Sequence, residues 1–424
     1  MNVRILIHAF AVTLLSLAFA HAAHADVSTL EQEVAALRQL GAKGLQQFLN
    51  RHASEFQPGA SLPSKSIRDA LDTLCQQKDC YASRLYWYTD LAQAQAAAKA
   101  SGKPILSLRL LGNLDQDLSC ANSRFFRVAL YPNAEVSQVL RDRFILHWQS
   151  VRPVPKVTID FGDGRTLERT LTGNSIHYVL DANGHLVDAI PGLYGPQAFL
   201  QQLRQSEGIA KTVVALKGAA RDSALQQYYR DRLNRVQADW SKDLGQLGLT
   251  LPARVSALSR NLDPTPRADV AGTFAASKMM VENPIVSSAL NQTTLTQMTD
   301  QTAWEKLAQL HQRTALLDRN SINLIQAKQA SGALPQARPV SSIVRSFEAS
   351  MALDTVRNEY LLHSQIYQWL LRDEATFKTV DALNTKVYAD LFLTPSTDPW
   401  LGLLPSGSYS AIDNDGIGLT RVAH

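Results

Sequence analysis

Apolar residues with a helical period dominate the first part of the chain. The repeat at i, i+4 and i+7 is formed by Leu30, Val34 and Leu37, and it predicts a helix that continues over residues 26–56. A second apolar face predicts a helix over 64–76. Residues 26–84 are therefore predicted to form an N-terminal helical segment.

Short apolar runs separated by glycine, proline and asparagine follow from residue 85. Residues 104–111 and 143–151 have the continuous apolar character of buried strands. Residues 156–171 and 175–190 are predicted hairpins, because each places two strand-like runs around a glycine-containing turn. Helices are predicted before the first strand, between the first two strands and after the second hairpin.

This order of elements predicts an α/β fold for residues 85–207. Two strands joined through helices are expected to be parallel, and the second hairpin is expected to lie beside them. The result is a mixed sheet with helices on both faces.

The remainder of the chain, 208–424, has helical periodicity and is predicted to be an all-α C-terminal domain. Leu362, Ile366, Trp369 and Leu370 stand at i, i+4, i+7 and i+8 within a long helix that begins near Val340. Glu359 and His363 are four residues apart on that helix. Because no third ligand accompanies them, we interpret them as a solvated pair or a hydrogen-bonded core histidine rather than a metal site.

Composition and charge exclude some classes of function. The chain has 424 residues, 45% of them hydrophobic, and a net charge of +4. Because no dense block of lysine and arginine occurs, binding to nucleic acid is not expected. Nucleotide-binding loops, serine-hydrolase elbows and zinc-hydrolase motifs do not occur, so no cofactor and no metal are predicted.

The first 25 residues have the pattern of a secretory signal peptide. Arg4 precedes an apolar run over residues 5–20, and Ala23-His24-Ala25 is an Ala-x-Ala cleavage site. The apolar run is short for a transmembrane helix. We therefore expect an exported protein, periplasmic or secreted, with no stable membrane anchor after cleavage.

Three cysteines, Cys75, Cys80 and Cys120, follow the predicted signal peptide. An oxidising compartment favours pairing, and Cys75 and Cys80 are close enough in sequence to form a disulfide that leaves Cys120 outside the bridge. The alternative is that all three are reduced and partly buried.

Residues 85–207 resemble the thioredoxin-like superfamily. The stretch AKASGKPILSLRL is similar to the family's helix ending at Gly-Lys-Pro before the first central strand. The stretch YVLDANGHLVDAIPGLYGPQAFLQQL is similar to its closing hairpin and helix, with Asp181, Gly184, Gly192 and Phe199 at matching places. The regions on either side do not share this resemblance.

The resemblance implies a role for Cys120. In the family, two cysteines separated by two residues stand at the start of a helix; Cys120 matches the first, and Ser123 replaces the second. The helix dipole, together with Arg124 one turn away, would favour a thiolate, whereas Asp115 and Asp117 would oppose it. A serine cannot resolve a mixed disulfide, so only a one-thiol route to another protein or a small thiol would remain.

Two further departures separate this sequence from an ordinary thioredoxin. Ser119 stands where an aromatic residue usually precedes the first cysteine, and Asn174-Ser175 stands where the family has a cis-proline.

Two functions stay open. The first is an exported thiol–disulfide exchange protein that uses Cys120 as its sole nucleophile. The alternative is a non-catalytic thioredoxin-fold scaffold whose helical domain binds a protein partner.

Overall fold

The computed structural model describes residues 29–57, 62–170, 173–248, 301–330, 338–372 and 379–392, together with 394 and 397. The predicted signal peptide, residues 1–25, lies outside the described residues. Within the described residues, no helix is long and apolar enough to cross a membrane.

The N-terminal segment is helical, but the predicted continuous helix is divided at Gly41. Helix α1 covers residues 29–38 and helix α2 covers Ala42–Arg51, followed by a 3-10 turn over Ala53–Phe56. Gly41 has a φ of 64°, a left-handed conformation that glycine adopts without steric cost. The apolar periodicity continues across this break, which is why the sequence pattern predicts a single helix.

Helix α3 (Lys65–Cys75) and the short helix α4 (Cys80–Ser83) complete the segment, and the disulfide between Cys75 and Cys80 joins them with a Cα–Cα distance of 6.3 Å. This pairing agrees with the prediction from the sequence. The helices enclose a small hydrophobic core of their own, formed by Val34, Leu37, Leu45, Phe48, Ile67, Ala70, Leu71, Leu74, Cys75, Cys80 and Tyr86. The guanidinium of Arg38 ties this core to the next region by donating to the carbonyls of Leu74 (2.8 Å) and Trp87 (2.7 Å).

The α/β region follows in the predicted order. Its elements are α5 (Leu91–Ser101), β1 (Ile105–Leu111), α6 (Ala121–Phe125) with a π-helical turn over Phe126–Leu130, α7 (Ala134–Arg143), β2 (Ile145–Arg152), β3 (Lys156–Asp160), β4 (Thr166–Thr170), β5 (Ser175–Leu180), β6 (Leu186–Pro191) and α8 (Pro196–Val214). Asp90 caps α5 by accepting from Gln93 N, and Gly102 ends that helix with a φ of 71°.

The four-stranded sheet has the order β2-β1-β5-β6. Strands β1 and β2 are parallel, with Ile105 opposite Ile145, whereas β5 pairs antiparallel with both β1 and β6. All residues of β1, β5 and β6 are buried. The prediction of a mixed sheet is thereby confirmed.

The hairpin β3–β4 forms a separate two-stranded sheet inserted between β2 and β5. Its turn contains Gly162 and Gly164, with φ of 73° and 88°, where a side chain would be strained. The residues of this hairpin alternate between exposed and half-buried along most of its length.

The described part of the C-terminal region is entirely helical or irregular, as predicted. The helices are α9 (Gly218–Gln246), α10 (Gln301–His311) with a 3-10 turn over Gln312–Ala315, α11 (Arg319–Ala330), α12 (Val340–Arg357) with a π-helical turn over Asn358–His363, α13 (Ser364–Arg372) and α14 (Val380–Lys386) with a π-helical turn over Val387–Leu391.

These helices and the sheet share one hydrophobic core. It extends from Leu85 through the strands to Phe392 near the end of the described chain. Helix α8 runs without interruption through residue 207, where the sequence predicts a domain boundary. The sheet is therefore covered by the C-terminal helices through a continuous apolar interface.

Candidate functional site

Cys120 stands at the start of a helix, at the place the sequence predicts. Strand β1 ends at Leu111, a loop follows, and Cys120 is the N-cap residue of α6. Its backbone N–H donates to Leu111 O at 3.2 Å, and its carbonyl accepts from Arg124 N at 3.2 Å. The cysteine is therefore held by backbone hydrogen bonds between the end of β1 and the first turn of α6.

The Cys120 thiol is buried rather than presented to solvent. Cys120 and Ser123 both have 0% exposed surface. Tyr131, at the end of the same helical stretch, and Tyr388, from the π-helical turn after α14, are electrostatic neighbours of the thiol. Burial raises the pKa of both phenols well above the usual value, and Cys120 raises it further.

The C-terminal end of the described chain closes this face of the sheet. The backbone carbonyl of Asn174 accepts from Tyr388 OH at 3.3 Å. The side-chain amide nitrogen of Asn174 donates to Phe392 O at 3.2 Å. Next to it, Ser175 Oγ accepts from the Asn122 amide at 3.1 Å. All peptide bonds among the described residues are trans, including the one before Ser175. The segment that begins β5 is thus bound both to α6 and to the C-terminal turn that follows α14.

Ser123 has a structural hydrogen-bonding role. Its Oγ lies 2.8 Å from the Cys120 carbonyl oxygen and 2.5 Å from Ser119 Oγ. Because a carbonyl oxygen can only accept, the Ser123 hydroxyl donates to the Cys120 carbonyl and accepts from the Ser119 hydroxyl. The hydroxyl of this buried serine is thus hydrogen-bonded within the protein, which accounts for a serine at this position without catalysis.

Two arginines lie near Cys120 in sequence, and their guanidinium groups contact other parts of the fold. Arg124, the cation the sequence suggests for a thiolate, donates to Thr170 Oγ1 of the hairpin at 2.6 Å. Arg127 is buried, donates to Ser119 Oγ at 3.2 Å and lies 3.8 Å from a carboxylate oxygen of Asp79. Burial lowers the pKa of Arg127, although Asp79 opposes the shift. The sequence pattern assigns no role to Arg127; its seven-residue spacing from Cys120, two helical turns, is the signal that could have found it.

The disulfide and the Cys120 thiol belong to different cores. Cys75 and Cys80 lie in the small N-terminal core, whereas Cys120 lies in the large core shared by the sheet and the C-terminal helices. The structure therefore does not bring the sulfur atoms of Cys75, Cys80 and Cys120 together in one redox site.

A second cluster of polar side chains, which the sequence does not predict as a unit, lies between β6, α8, α9 and the long C-terminal helix. Its charged members are Asp188, Arg232, Glu359 and His363. Arg232 lies 3.1 Å from Glu359, and His363 Nδ1 lies 3.0 Å from the other oxygen of the same carboxylate. His363 Nε2 lies 3.9 Å from Asp188, an ion-pair distance that is too long for a hydrogen bond.

Neutral side chains add hydrogen bonds to the two carboxylates of this cluster. Asp188 accepts from Ser206 Oγ and Tyr228 OH, each at 2.6 Å. Glu359 accepts from Tyr194 OH at 3.1 Å and from the Gln202 amide at 3.0 Å. Each carboxylate is thus bound by several donors within the protein interior.

The electrostatic balance favours the charged forms of all four groups. Burial raises the pKa of both carboxylates, but His363 and the surrounding donors outweigh it, so the pKa of Asp188 falls and that of Glu359 falls to about 2. Burial lowers the pKa of His363, but Glu359 and Asp188 outweigh it and raise it. Burial also lowers the pKa of Arg232, but Tyr367 and Glu359 outweigh it and raise it.

This cluster is arranged as a closed ion network. With His363 protonated, two carboxylates face two cations, so no net charge is buried. In the described part of the chain, no group of three or more His, Cys, Asp or Glu side chains is arranged to hold a metal ion. The interpretation of His363 as a hydrogen-bonded core histidine agrees with its full burial and its bond to Glu359.

Comparisons of the chain with protein-family models, with curated proteins and with solved structures find no match.

Proposed function

We propose that the chain is an exported, non-catalytic thioredoxin-like protein, whose α/β region is a scaffold and whose C-terminal helices bind a protein partner. The observation that carries this proposal is the complete burial of Cys120 and Ser123, with Tyr388 of the C-terminal segment near the thiol. Buried structural cysteines are inert, because thiol–disulfide exchange requires a thiolate that a disulfide can approach.

The sheet topology supports the thioredoxin-like part of the proposal. A parallel pair, β1 and β2, lies beside an antiparallel hairpin, β5 and β6, in the order β2-β1-β5-β6. The resemblance in sequence implies this arrangement, with β3–β4 as an insertion. The helix that begins after Cys120 follows β1, as the family pattern requires.

The contacts of Asn174 support the non-catalytic part. By resemblance, Asn174 and Ser175 stand where the family has the proline that faces the thiols. Here this position bonds to Tyr388 and Phe392 of the same chain. The chain's own C-terminal segment thus occupies the face that a disulfide substrate would need.

Export and partner binding rest on separate observations. The Cys75–Cys80 disulfide supports an oxidising compartment, periplasmic or extracellular. Because the C-terminal helices cover the thiol face with their inner surface, a partner would contact their outer surface. Leu310 and Leu316, with 41% and 51% exposure, are large apolar side chains on that part of the fold.

One observation favours a second function, one-thiol disulfide exchange with a protein or a small thiol. Cys120 occupies the N-cap of α6, the position at which backbone N–H groups stabilise a thiolate. This function requires the C-terminal segment to move away from Cys120 before reaction. Reactivity of the thiol in the folded protein therefore separates the two proposals.

Iodoacetamide is expected to label Cys120 in the folded protein at least about a hundredfold more slowly than in guanidinium, because labelling of a buried thiol requires local opening. The measurement is mass spectrometry of the non-reduced protein at successive times, with peptide mapping of the labelled site. In guanidinium without reductant, one label is expected, on Cys120, because Cys75 and Cys80 are bridged.

The Cys120→Ser variant is the control for label position, and it should take up no label under either condition. Rapid labelling of Cys120 in the folded protein, with a midpoint clearly below the ordinary thiol pKa of about 8.5, would favour one-thiol exchange and contradict the scaffold. Labels on Cys75 or Cys80 without reductant would contradict the disulfide.

The purified protein is expected to show no reduction of insulin disulfides above background in the presence of dithiothreitol, because Cys120 is buried and Ser123 cannot resolve a mixed disulfide. The Ser123→Cys variant is expected to remain inactive, since position 123 is buried as well. Turbidity from precipitated insulin chains measures the reaction, and a two-cysteine thioredoxin assayed in parallel is the positive control. Turnover by the unchanged protein would overturn the non-catalytic assignment.

A further inference from the structure

An open groove lies between helix α2 and the beginning of the edge strand β2. Its volume is about 540 Å³, within the range of about 300–1,000 Å³ that is usual for small-molecule sites. Its walls come from two different cores, because α2 belongs to the N-terminal helical segment and β2 to the large sheet. The groove is separate from Cys120 and from the buried ion network, since none of those residues lines it.

Most of the side chains that line the groove are apolar or aromatic, although polar and apolar atoms share its exposed surface about equally. The apolar lining side chains are Ala42, Leu45, Leu49, Ala53, Phe56, Tyr86, Tyr88, Phe144, Ile145 and Leu146. Gln46, Asn50 and Gln57 add neutral polar groups along the α2 side. An apolar body therefore finds contact surface here, with hydrogen-bonding groups at one margin.

Every charged side chain that lines the groove is a cation: Arg84, Lys103 and Arg141. Lys103 Nζ donates to Arg141 O at 3.0 Å, and Arg141 Nη1 donates to Ser83 O at 2.8 Å. The guanidinium of Arg84 lies 5.5 Å from the centroid of the Phe56 ring. These contacts hold three positive groups at the groove without neutralising them.

The positive charge of the groove is not balanced by carboxylates at ion-pair distance within the described residues. The lining includes no aspartate or glutamate. Among the ion pairs between described residues, none involves Arg84, Lys103 or Arg141. Burial lowers the pKa of the Arg141 guanidinium; Asp142 raises it, and the positive charge of Arg84 lowers it again. Two mutually repelling arginines beside an apolar floor form an arrangement that an anion would stabilise.

We propose that this groove binds an organic anion with an apolar body, its acidic head group between Arg84, Lys103 and Arg141 and its hydrocarbon or aromatic part against α2 and the start of β2. The charge of the lining selects an anion over a cation, and the apolar floor selects an amphiphile over a small inorganic ion. The proposal does not depend on the state of Cys120 or on the partner of the C-terminal helices.

The test is isothermal titration of the full chain with sodium decanoate below its micellar concentration. Decanoate is expected to bind at one site per chain, whereas decyltrimethylammonium, of equal chain length and opposite charge, and acetate, which lacks the apolar body, are expected not to bind. The Arg84→Gln/Lys103→Gln/Arg141→Gln variant should bind decanoate about tenfold more weakly, since each solvent-accessible charge contributes a modest Coulomb term.

A matched control removes three positive charges elsewhere. Lys43, Arg165 and Arg230 are exposed and do not line the groove, so changing all three to glutamine should leave decanoate affinity unchanged. The Ala42→Trp variant keeps the charge and fills the groove from the exposed start of α2, and it should abolish binding. Circular dichroism verifies that each variant is folded.

Three results would overturn the proposal: no binding of decanoate to the unchanged protein, equal binding of decyltrimethylammonium, or equal loss of affinity in the matched control. The last result would assign any binding to the overall charge of the chain. A negative result here leaves the thiol-labelling test of the proposed function untouched.

Discussion

Replacing Arg232 with methionine is expected to lower the free energy of unfolding by about 3–5 kcal/mol, the range for breaking one partner of a buried ion pair. Arg232 has 6% exposed surface and donates to Glu359, to Gln202 and, through Nε, to Tyr367 OH. Methionine keeps an apolar stem but lacks the guanidinium, so the variant loses the charge together with these hydrogen bonds. The carboxylate of Glu359 would remain buried with His363 as its only charged partner within this cluster.

Urea unfolding at neutral pH, followed by far-ultraviolet circular dichroism, measures this effect as a shift of the midpoint with an unchanged slope. Arg230 lies two residues away on the same helix, is exposed, and is the matched control. Arg230→Met is expected to change stability by no more than about 0.5 kcal/mol, as is usual for surface substitutions. A shift of similar size in both variants, or a change below about 1 kcal/mol for Arg232→Met, would contradict a stabilising role for the buried ion network.

Acidification is expected to destabilise the protein through two buried histidines, with about 2 kcal/mol lost for each between about pH 7.5 and about pH 5. Burial lowers the pKa of His147 to about 3, with a further contribution from the nearby charge of Arg109, and burial alone lowers the pKa of His177 to about 3. Both imidazoles have 0–1% exposed surface, so neither gains a proton in the folded state within this pH range.

The sign follows from proton uptake. Between about pH 6.5 and about pH 3, each of these histidines binds a proton in the unfolded chain but not in the folded protein, so stability falls as the pH falls through the unfolded pKa. His363 acts in the opposite direction, because its raised pKa gives a contribution that is complete below about pH 6.5 and is lost as the pH rises through the folded value. Comparing variants with the parent protein removes that common contribution.

The measurement is the urea midpoint as a function of pH for His147→Gln and His177→Gln. In each variant, the loss of stability between about pH 7.5 and about pH 5 should be smaller by about 2 kcal/mol than in the parent. The control variant is His185→Gln, which removes an imidazole with 59% side-chain exposure. Identical pH dependence in all four proteins would contradict neutral, buried histidines.

The N-terminal segment illustrates how far a periodic pattern carries. Apolar residues before and after Gly41 continue the same repeat, so the sequence predicts one helix, whereas the chain forms two. A glycine is tolerated within a helix or ends it, and packing of α1 against α2 and α3 selects between these outcomes. Cys75 and Cys80, by contrast, have only four residues between them, and this proximity together with an expected oxidising compartment favours the pairing that the structure contains.

The sequence predicts the position of Cys120 at a helix start but leaves open whether its thiol is exposed or buried. The helix start at Cys120 depends on neighbouring residues, and the structure places it after β1 as expected. Its burial places it in the core shared by the sheet and the C-terminal helices, where Tyr388, from near the end of the described chain, is an electrostatic neighbour of the thiol. No local pattern reveals which face of a sheet a distant helix will cover.

Glu359 and His363 show the same division within one cluster. Their four-residue spacing on a helix identified them as a pair, and the pair is present. Asp188 and Arg232, which make it a closed ion network, come from β6 and α9, and neither has a sequence signal that connects it to His363. A buried charge is stable only where tertiary packing brings its counter-charges, so the network could not be inferred before the fold.

By itself, the sequence determined the order of helices and strands, the two glycine-containing hairpins, the disulfide and the start of α6, because each depends on residues close together along the chain. The tertiary structure alone decided that the C-terminal helices share one core with the sheet, that Cys120 is buried, and that Arg84, Lys103 and Arg141 line one groove. These features depend on contacts between distant segments, whose free energy comes from burying complementary surfaces and which no single segment encodes.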